Sequence, residues 1–347
     1  MSDRSPLAVS RSPHTRSPAD GERPTADDFT PAWWIRGPHA QTVWGRVTRT
    51  RRAMPLRREV LRTPDDDDLI VDHLDGTRLR FVLLHGLEGS SNSVYMQGLL
   101  RIIARHGYAA TAMNFRSCAR DPNNLSRMLM NRTPWLYHSG DTRDFDFLVR
   151  NLPNDIPLVA IGASLGGNAI LKWLGENPGQ TFVKAAATMS VPYDLAAGAR
   201  VLSIGAGRFY TASFFKTMRQ KTVSVVERFG VKLDVPGAMR ARTFRDFDNA
   251  STAPLHGFRD ADDYYTRASS LPYLHAITTP ALCISAEDDP FLPIEALRRA
   301  QAAVSPSVEF RISPAGGHTG FISGSVPWRA EYWAEELVVQ WLAERAL

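Results

Sequence analysis

A serine, a cluster of acids and a histidine, in that chain order, carry the chemistry legible in this sequence. Ser164 sits in Gly162-Ala163-Ser164-Leu165-Gly166. The acids Glu287, Asp288 and Asp289 come next, and His318 follows Gly316-Gly317. A serine hydroxyl is a weak nucleophile at neutral pH. It needs a general base within hydrogen-bond reach, and that base needs a carboxylate to orient it. Where a G-x-S-x-G serine is activated in this way, the partners follow in the order serine, acid, histidine. Of nine histidines, only His85 and His318 fall beside glycines on loops that follow strand-like runs. His85 precedes the serine and fails the order. Spacing alone does not separate Asp288 from Asp289. Each feature also has a plain reading: a tight turn with serine as helix N-cap, an Asx-turn, a structural histidine. The order of all three favours the chemical one.

These side chains converge only if the elements beneath them present them at one edge. Ile156–Ile161 is an apolar run that predicts a buried strand. Leu165–Glu176 predicts a helix, stopped by Asn177-Pro178. Strand, sharp turn and helix are the context in which G-x-S-x-G presents its serine above a sheet. The serine's backbone is strained, and small flanking residues let strand and helix pass closely. The Leu165 amide at the helix start points at developing negative charge. The spacing predicts strands at Leu56–Leu61, Leu69–His73, Arg80–Leu84, Ala109–Phe115, Val183–Met189, Pro280–Ser285 and Ser307–Ser313. Helices are predicted at Ser93–Arg105, Asp141–Asn151 and Val326–Ala346, and a long polar loop containing Pro122 and Pro134 follows the fourth strand. Strands alternating with helices imply an α/β fold with a mostly parallel sheet covered on both faces. Ligands then bind at the carboxyl ends of the strands, where the acids and His318 fall. The loop His85-Gly86-Leu87-Glu88-Gly89 follows a strand and resembles an H-G-x-x-G loop. Its Leu87 amide would pair with that of Leu165 in an oxyanion hole.

Composition limits the alternatives. The chain has 347 residues, 44% hydrophobic and 22% charged, as in ordinary globular proteins. No segment approaches the length of a transmembrane helix, and the start of the chain lacks the apolar core of a signal peptide. Residues 1–28, rich in Ser, Pro, Arg and Asp, read as a disordered tail. Residues 29–347 read as one domain, with a helical cap inserted at approximately 195–270, where strand rhythm lapses. The two cysteines, Cys118 and Cys283, form no C-x-x-C pair, which fits a reducing, cytoplasmic setting. The net charge of +5 is uneven. Residues 36–62 hold eight arginines and one acid, and residues 200–245 hold ten Lys or Arg and two acids. These runs read as solvated surface, with peripheral contact to an anionic membrane as the sharper alternative. No nucleic-acid-binding signature accompanies them. No H-E-x-x-H or zinc spacing implies a metal. Gly205-Ala206-Gly207 lacks the third glycine of a dinucleotide fingerprint, so no cofactor is expected.

Further motifs complete the picture: Pro38-His39-Ala40-Gln41-Thr42, Asn114-Phe115-Arg116, Tyr137-His138-Ser139-Gly140-Asp141, Gly162–Asn168, Asp288-Asp289-Pro290 and Gly316-Gly317-His318. With them, the chain from residue 29 onward resembles the YheT-like branch of α/β-hydrolases, relatives of mammalian ABHD esterases and plant embryogenesis-associated proteins. The resemblance implies an α/β-hydrolase fold. It places the charge-relay residues on Ser164, Asp289 and His318 and favours Asp289 over Asp288. It implies cleavage of carboxylic esters, with short-chain esters and acylglycerols as substrates. An acyltransferase using the same residues and a non-catalytic binding protein are the competing classes. The Tyr137–Gly140 signature has no role assigned by its residues, beyond Ser139 or Asp141 as a helix cap and His138 as a wall of a pocket.

Overall fold

Eight strands form one twisted sheet in the computed structural model, which describes residues 29–49 and 53–347. The segment 1–28, expected to be a tail, lies outside them. The strands are β1 (Arg57–Arg62), β2 (Asp68–Leu74), β3 (Arg80–Leu84), β4 (Ala109–Met113), β5 (Leu158–Ala163), β6 (Val183–Met189), β7 (Ala281–Ala286) and β8 (Val308–Ser313). Their order is β1-β2-β4-β3-β5-β6-β7-β8. β2 runs antiparallel to β1 and β4, and every other pairing in this sheet is parallel.

Parallel strands here are buried on both faces and read as continuous apolar runs. Alternate side chains of β3 show the consequence. Phe81 and Leu83 enter one core with Met96, Ile161 and Trp341. Val82 and Leu84 enter the other with Leu165, Ile170 and Trp173. The helices closing these layers include α2 (Val94–Arg105), α3 (Arg143–Asn151) and α4 (Leu165–Glu176), whereas α1 (Pro38–Thr48), with only Gln41 buried, adds no residue to either core. The chain ends in a helix at Trp333–Ala346.

Between β6 and β7 the chain is helical. α5 (Leu195–Leu202) and α6 (Gly207–Phe229) lead into shorter turns that end at Ala276. α6 stops where Gly230 adopts φ 69°, the left-handed conformation that glycine supplies without steric cost. This region carries its own apolar cluster of Phe215, Ala238, Phe244 and Phe247.

Three segments depart from the sequence-based expectation. The last helix begins at Trp333, not Val326. Pro327–Arg329 is a single 3-10 turn, and Glu331–Tyr332 pairs with Ile322–Ser323. The fourth strand ends at Met113; the Asn114 amide still bonds Ile70 O of β2, and the groups beyond it leave the ladder. The Asn114 side chain bonds Asp72, and the Phe115 amide bonds His85. The polar loop after it contains a hairpin, Arg120–Asp121 against Asn124–Met128.

Candidate active site

Ser164 leaves β5 with φ 52° and ψ −120°, a conformation that costs a non-glycine residue on the order of 1–3 kcal/mol. Three contacts enforce it. The Ser164 amide donates to Met189 O at 2.8 Å. A Cβ on Gly162 would lie 2.6 Å from Gly167 Cα, and one on Gly166 would lie 2.4 Å from Leu84 O. Only glycine lets β5, α4 and the end of β3 approach this closely. Although Ser164 occupies the N-cap position of α4, its side chain makes no capping hydrogen bond. The hydroxyl is therefore not spent on the helix.

The acid cluster at the end of β7 divides its work. Asp289 faces His318, whose Nδ1 lies 2.9 Å from Oδ2 and 3.1 Å from Oδ1. Both side chains are buried. Phe291 supports the pair twice: its amide donates to Asp289 Oδ1 at 2.8 Å, and its ring stacks on the imidazole with centroids 4.1 Å apart. Asp288 instead accepts the Gly317 amide at 2.9 Å and so shapes the loop that carries His318. Burial pushes the Asp288 carboxyl above its ordinary range. An imidazole held at Nδ1 by a carboxylate keeps Nε2 for proton exchange.

Ser164, His318, Leu87 and Leu165 line one cavity of about 750 Å³. Ser164 Oγ makes no hydrogen bond to another described residue. Such contacts tighten when substrate binds. The loop after β3 passes beside the serine, where a Cβ on Gly86 would lie 3.2 Å from Ser164 Cβ. The Leu87 and Leu165 amides have no acceptor among the described residues, whereas the neighbours of Leu87 are engaged. The Gly86 amide donates to Tyr95 Oη and the Glu88 amide to Tyr137 Oη, each at 2.7 Å.

His85 has a structural task. The Phe115 amide donates to its Nε2 at 3.1 Å, so Nδ1 carries the proton and donates to Gly86 O at 2.8 Å. Burial pushes its pKa down to about 4. The ring is a neutral brace between β4 and the loop.

Several supports were not legible beforehand. Thr42 Oγ1 accepts the His318 amide at 2.9 Å, and Gln41 bonds both backbone groups of Ile322. Ser190 Oγ accepts the Thr319 amide at 2.9 Å. The Pro38–Thr42 motif thus holds the histidine loop. Arg116 is buried between Asp144, Asp65 and Asp67. Within the Tyr137 signature, Ser139 caps nothing: its amide donates to Tyr264 Oη and its carbonyl accepts from Asn168. Asp141 Oδ1 accepts the Arg143 amide at 3.3 Å at the start of α3. His138 lines the cavity, and burial pushes its pKa down to about 4. The basic stretch 200–245 is not wholly solvated, since Lys221 is buried against Glu88. No helix among the described residues is long and apolar enough to cross a membrane.

Comparison with known proteins agrees with this architecture. A family model described as alpha/beta hydrolase fold matches residues 80–325. YheT of Escherichia coli (strain K12), which carries a provisional esterase designation, is 31% identical over 325 residues, covering 91% of this chain and 93% of that protein. Human phospholipase ABHD3 is 28% identical, covering 88% of this chain and 76% of that protein. Among solved structures, the Pyrococcus furiosus esterase Pf2001 superposes with a TM-score of 0.53 at 17% identity, over 84% of this chain and 94% of that one.

Proposed function

The chain belongs to the α/β-hydrolase family, in its YheT-like branch, and on that premise we propose that it is a serine esterase acting through Ser164, His318 and Asp289. Ser164 Oγ attacks the ester carbonyl while His318 Nε2 takes its proton. Asp289 holds the imidazole in the required tautomer and stabilises its cation. The Leu87 and Leu165 amides receive the oxyanion. His318 then protonates the leaving alcohol, and water releases the acyl group by the same roles in reverse.

One observation carries the reading. An uncapped, backbone-strained serine shares a cavity with an imidazole already paired to a buried carboxylate. The cavity supports a lipid-like acyl group. Its walls include Leu136, Leu202, Phe214, Met218, Phe244 and Phe247, and its volume suits a small ligand. The helices of residues 195–270 act as its cap. The esterase, phospholipase and monoacylglycerol lipase names of relatives support short-chain esters and acylglycerols as substrates. Two buried, unpaired cysteines support a reducing, cytoplasmic setting.

The test is hydrolysis of p-nitrophenyl esters of graded chain length by the native protein and by Ser164→Ala. Turnover by the native protein that is lost in the variant is expected. Unchanged turnover in Ser164→Ala would contradict the proposal. Running the assay with a competing alcohol separates hydrolysis from acyl transfer, and free acid as the main product is expected.

A further inference from the structure

Lys221 touches none of the groups assigned to the reaction, yet α6 drives it into the protein next to the oxyanion loop. Its side chain is 2% exposed and that of Glu88 is 7% exposed. Lys221 Nζ lies 2.7 Å from Glu88 Oε1 and 3.1 Å from Cys118 Sγ. It also sits 5.0 Å from the centre of the Tyr137 ring.

Glu88 is the residue after Leu87, and it is clamped through backbone and side chain together. Tyr137 Oη accepts its amide at 2.7 Å and donates to its Oε1 at 2.8 Å. Its φ is 56°, in the region a non-glycine residue avoids unless its surroundings enforce it. On the other side of Leu87, Gly86 is fixed by Tyr95 and His85. The loop is therefore held on both flanks, and the Leu87 amide is left free between them.

The clamp depends on charge balance. Burial alone pushes the Glu88 carboxyl up, and Lys221 outweighs it, with help from Thr217 and Tyr137, so that Glu88 stays ionised. Burial likewise pushes Lys221 down, and Cys118 and Glu88 outweigh it. Cys118 is pushed up by burial. Lys221, Glu88 and Arg120 in turn all act on His85, which burial keeps neutral. A buried carboxylate that loses the cation hydrogen-bonded to it must protonate or leave for water.

We infer that Lys221 is a positioning residue that holds Glu88 in place, and with it the aim of the Leu87 amide, from the helix that covers the cavity. The inference rests on Leu87 being an oxyanion donor, as proposed above. It ties the oxyanion hole to the seat of α6. It also gives Tyr137, the first residue of an otherwise unassigned signature, a place in the same clamp.

The experiment compares kcat and KM of native protein and Lys221→Met on p-nitrophenyl acetate across pH. This ester is too small to need the cap. Loss of one oxyanion donor costs on the order of 100- to 1000-fold in rate, so a misaimed donor should cost kcat about 10- to 100-fold, with KM within about twofold. The loss should be greatest at the alkaline end of the range and shrink towards the acid end, where a buried, unpaired Glu88 takes up a proton and stays seated. Adding Glu88→Gln to Lys221→Met removes the titrating group and should make the ratio to native independent of pH. A kcat unchanged in Lys221→Met, a loss confined to KM, or a loss that does not vary with pH would overturn the inference while leaving the esterase reading intact. A native protein inert to esters would remove both. Should Lys221→Met fail to fold, Glu88→Gln alone carries the test: a lower kcat at constant KM is expected, and an unchanged kcat overturns it.

Discussion

The His318 amide donates to Thr42 Oγ1 at 2.9 Å across 276 residues of chain. The same hydroxyl donates back to Pro38 O at 2.7 Å. A threonine in the first helix thereby fixes the loop of the candidate general base. Thr42→Val keeps the shape but leaves a buried amide unsatisfied, which costs about 1–3 kcal/mol. We expect a lower melting temperature and a reduced kcat, with both recovered in Thr42→Ser. Equal kcat in Thr42→Val and native protein would show that the loop holds without this bond.

Asp288 and Asp289 are adjacent but bond different partners, Gly317 and His318. Asn at 289 presents the imidazole with a neutral partner and favours the wrong tautomer. In serine proteases a change of this kind lowers kcat on the order of 10,000-fold, and a loss of similar size is expected for Asp289→Asn. Asn at 288 can still accept the Gly317 amide, so Asp288→Asn should lower kcat/KM by less than about tenfold. Steady-state kinetics of the two variants, with circular dichroism to confirm folding, would exchange these ranks if the assignment were reversed.

Acid should destabilise the fold through its buried imidazoles. His85 and His138 have pKa values pushed down from 6.5 to about 4 by burial, and His256 is pushed down in the same way. Below pH 6.5 the unfolded chain binds protons that these rings refuse in the folded state. Stability that is full above this value is therefore lost as pH falls towards about 4. Asp248 opposes the trend. Burial raises its pKa to about 6, so unfolding there releases a proton. The raised carboxyls of Asp144, Asp288 and Glu335 act in the same sense. The pH dependence of urea unfolding near about pH 5.5 should report a net uptake of protons. Net release would contradict buried, neutral imidazoles at His85, His138 and His256.

Gly166 tests the packing beneath the serine. Its Cβ would meet Leu84 O at 2.4 Å, a backbone atom that cannot swing aside. Gly166→Ala should cost about 3 kcal/mol or more, visible as a lower thermal midpoint. A neutral substitution would mean that β3 and α4 are not so closely joined.

The order of strands and helices was legible because each has its own local period: apolar runs for β3 to β7, and Leu165–Glu176 for α4. The segment before the last helix was not. The helix expected over Val326–Ala346 starts only at Trp333, because a pairing of Ile322 with Tyr332 decides the stretch before it. Strand-end position and chain order marked the acid cluster as the partner of His318, and only the family resemblance favoured Asp289, which meets the imidazole, over Asp288. What was hidden lies in contacts between distant segments. Nothing local marks Gln41 and Thr42 as supports for a loop near residue 318. Lys221 lay in a basic run that charge alone assigned to solvent, because composition does not say which lysine a helix turns inward. The register of α6 over the oxyanion loop decides that.

The most direct test of Ser164 as the nucleophile is the site of covalent modification by a fluorophosphonate, read by peptide mass spectrometry. One adduct per chain is expected, on the peptide containing Ser164, with none on Ser164→Ala and strongly slowed labelling of His318→Ala. An adduct on another residue, or an unlabelled native protein that nonetheless hydrolyses esters, would contradict this assignment.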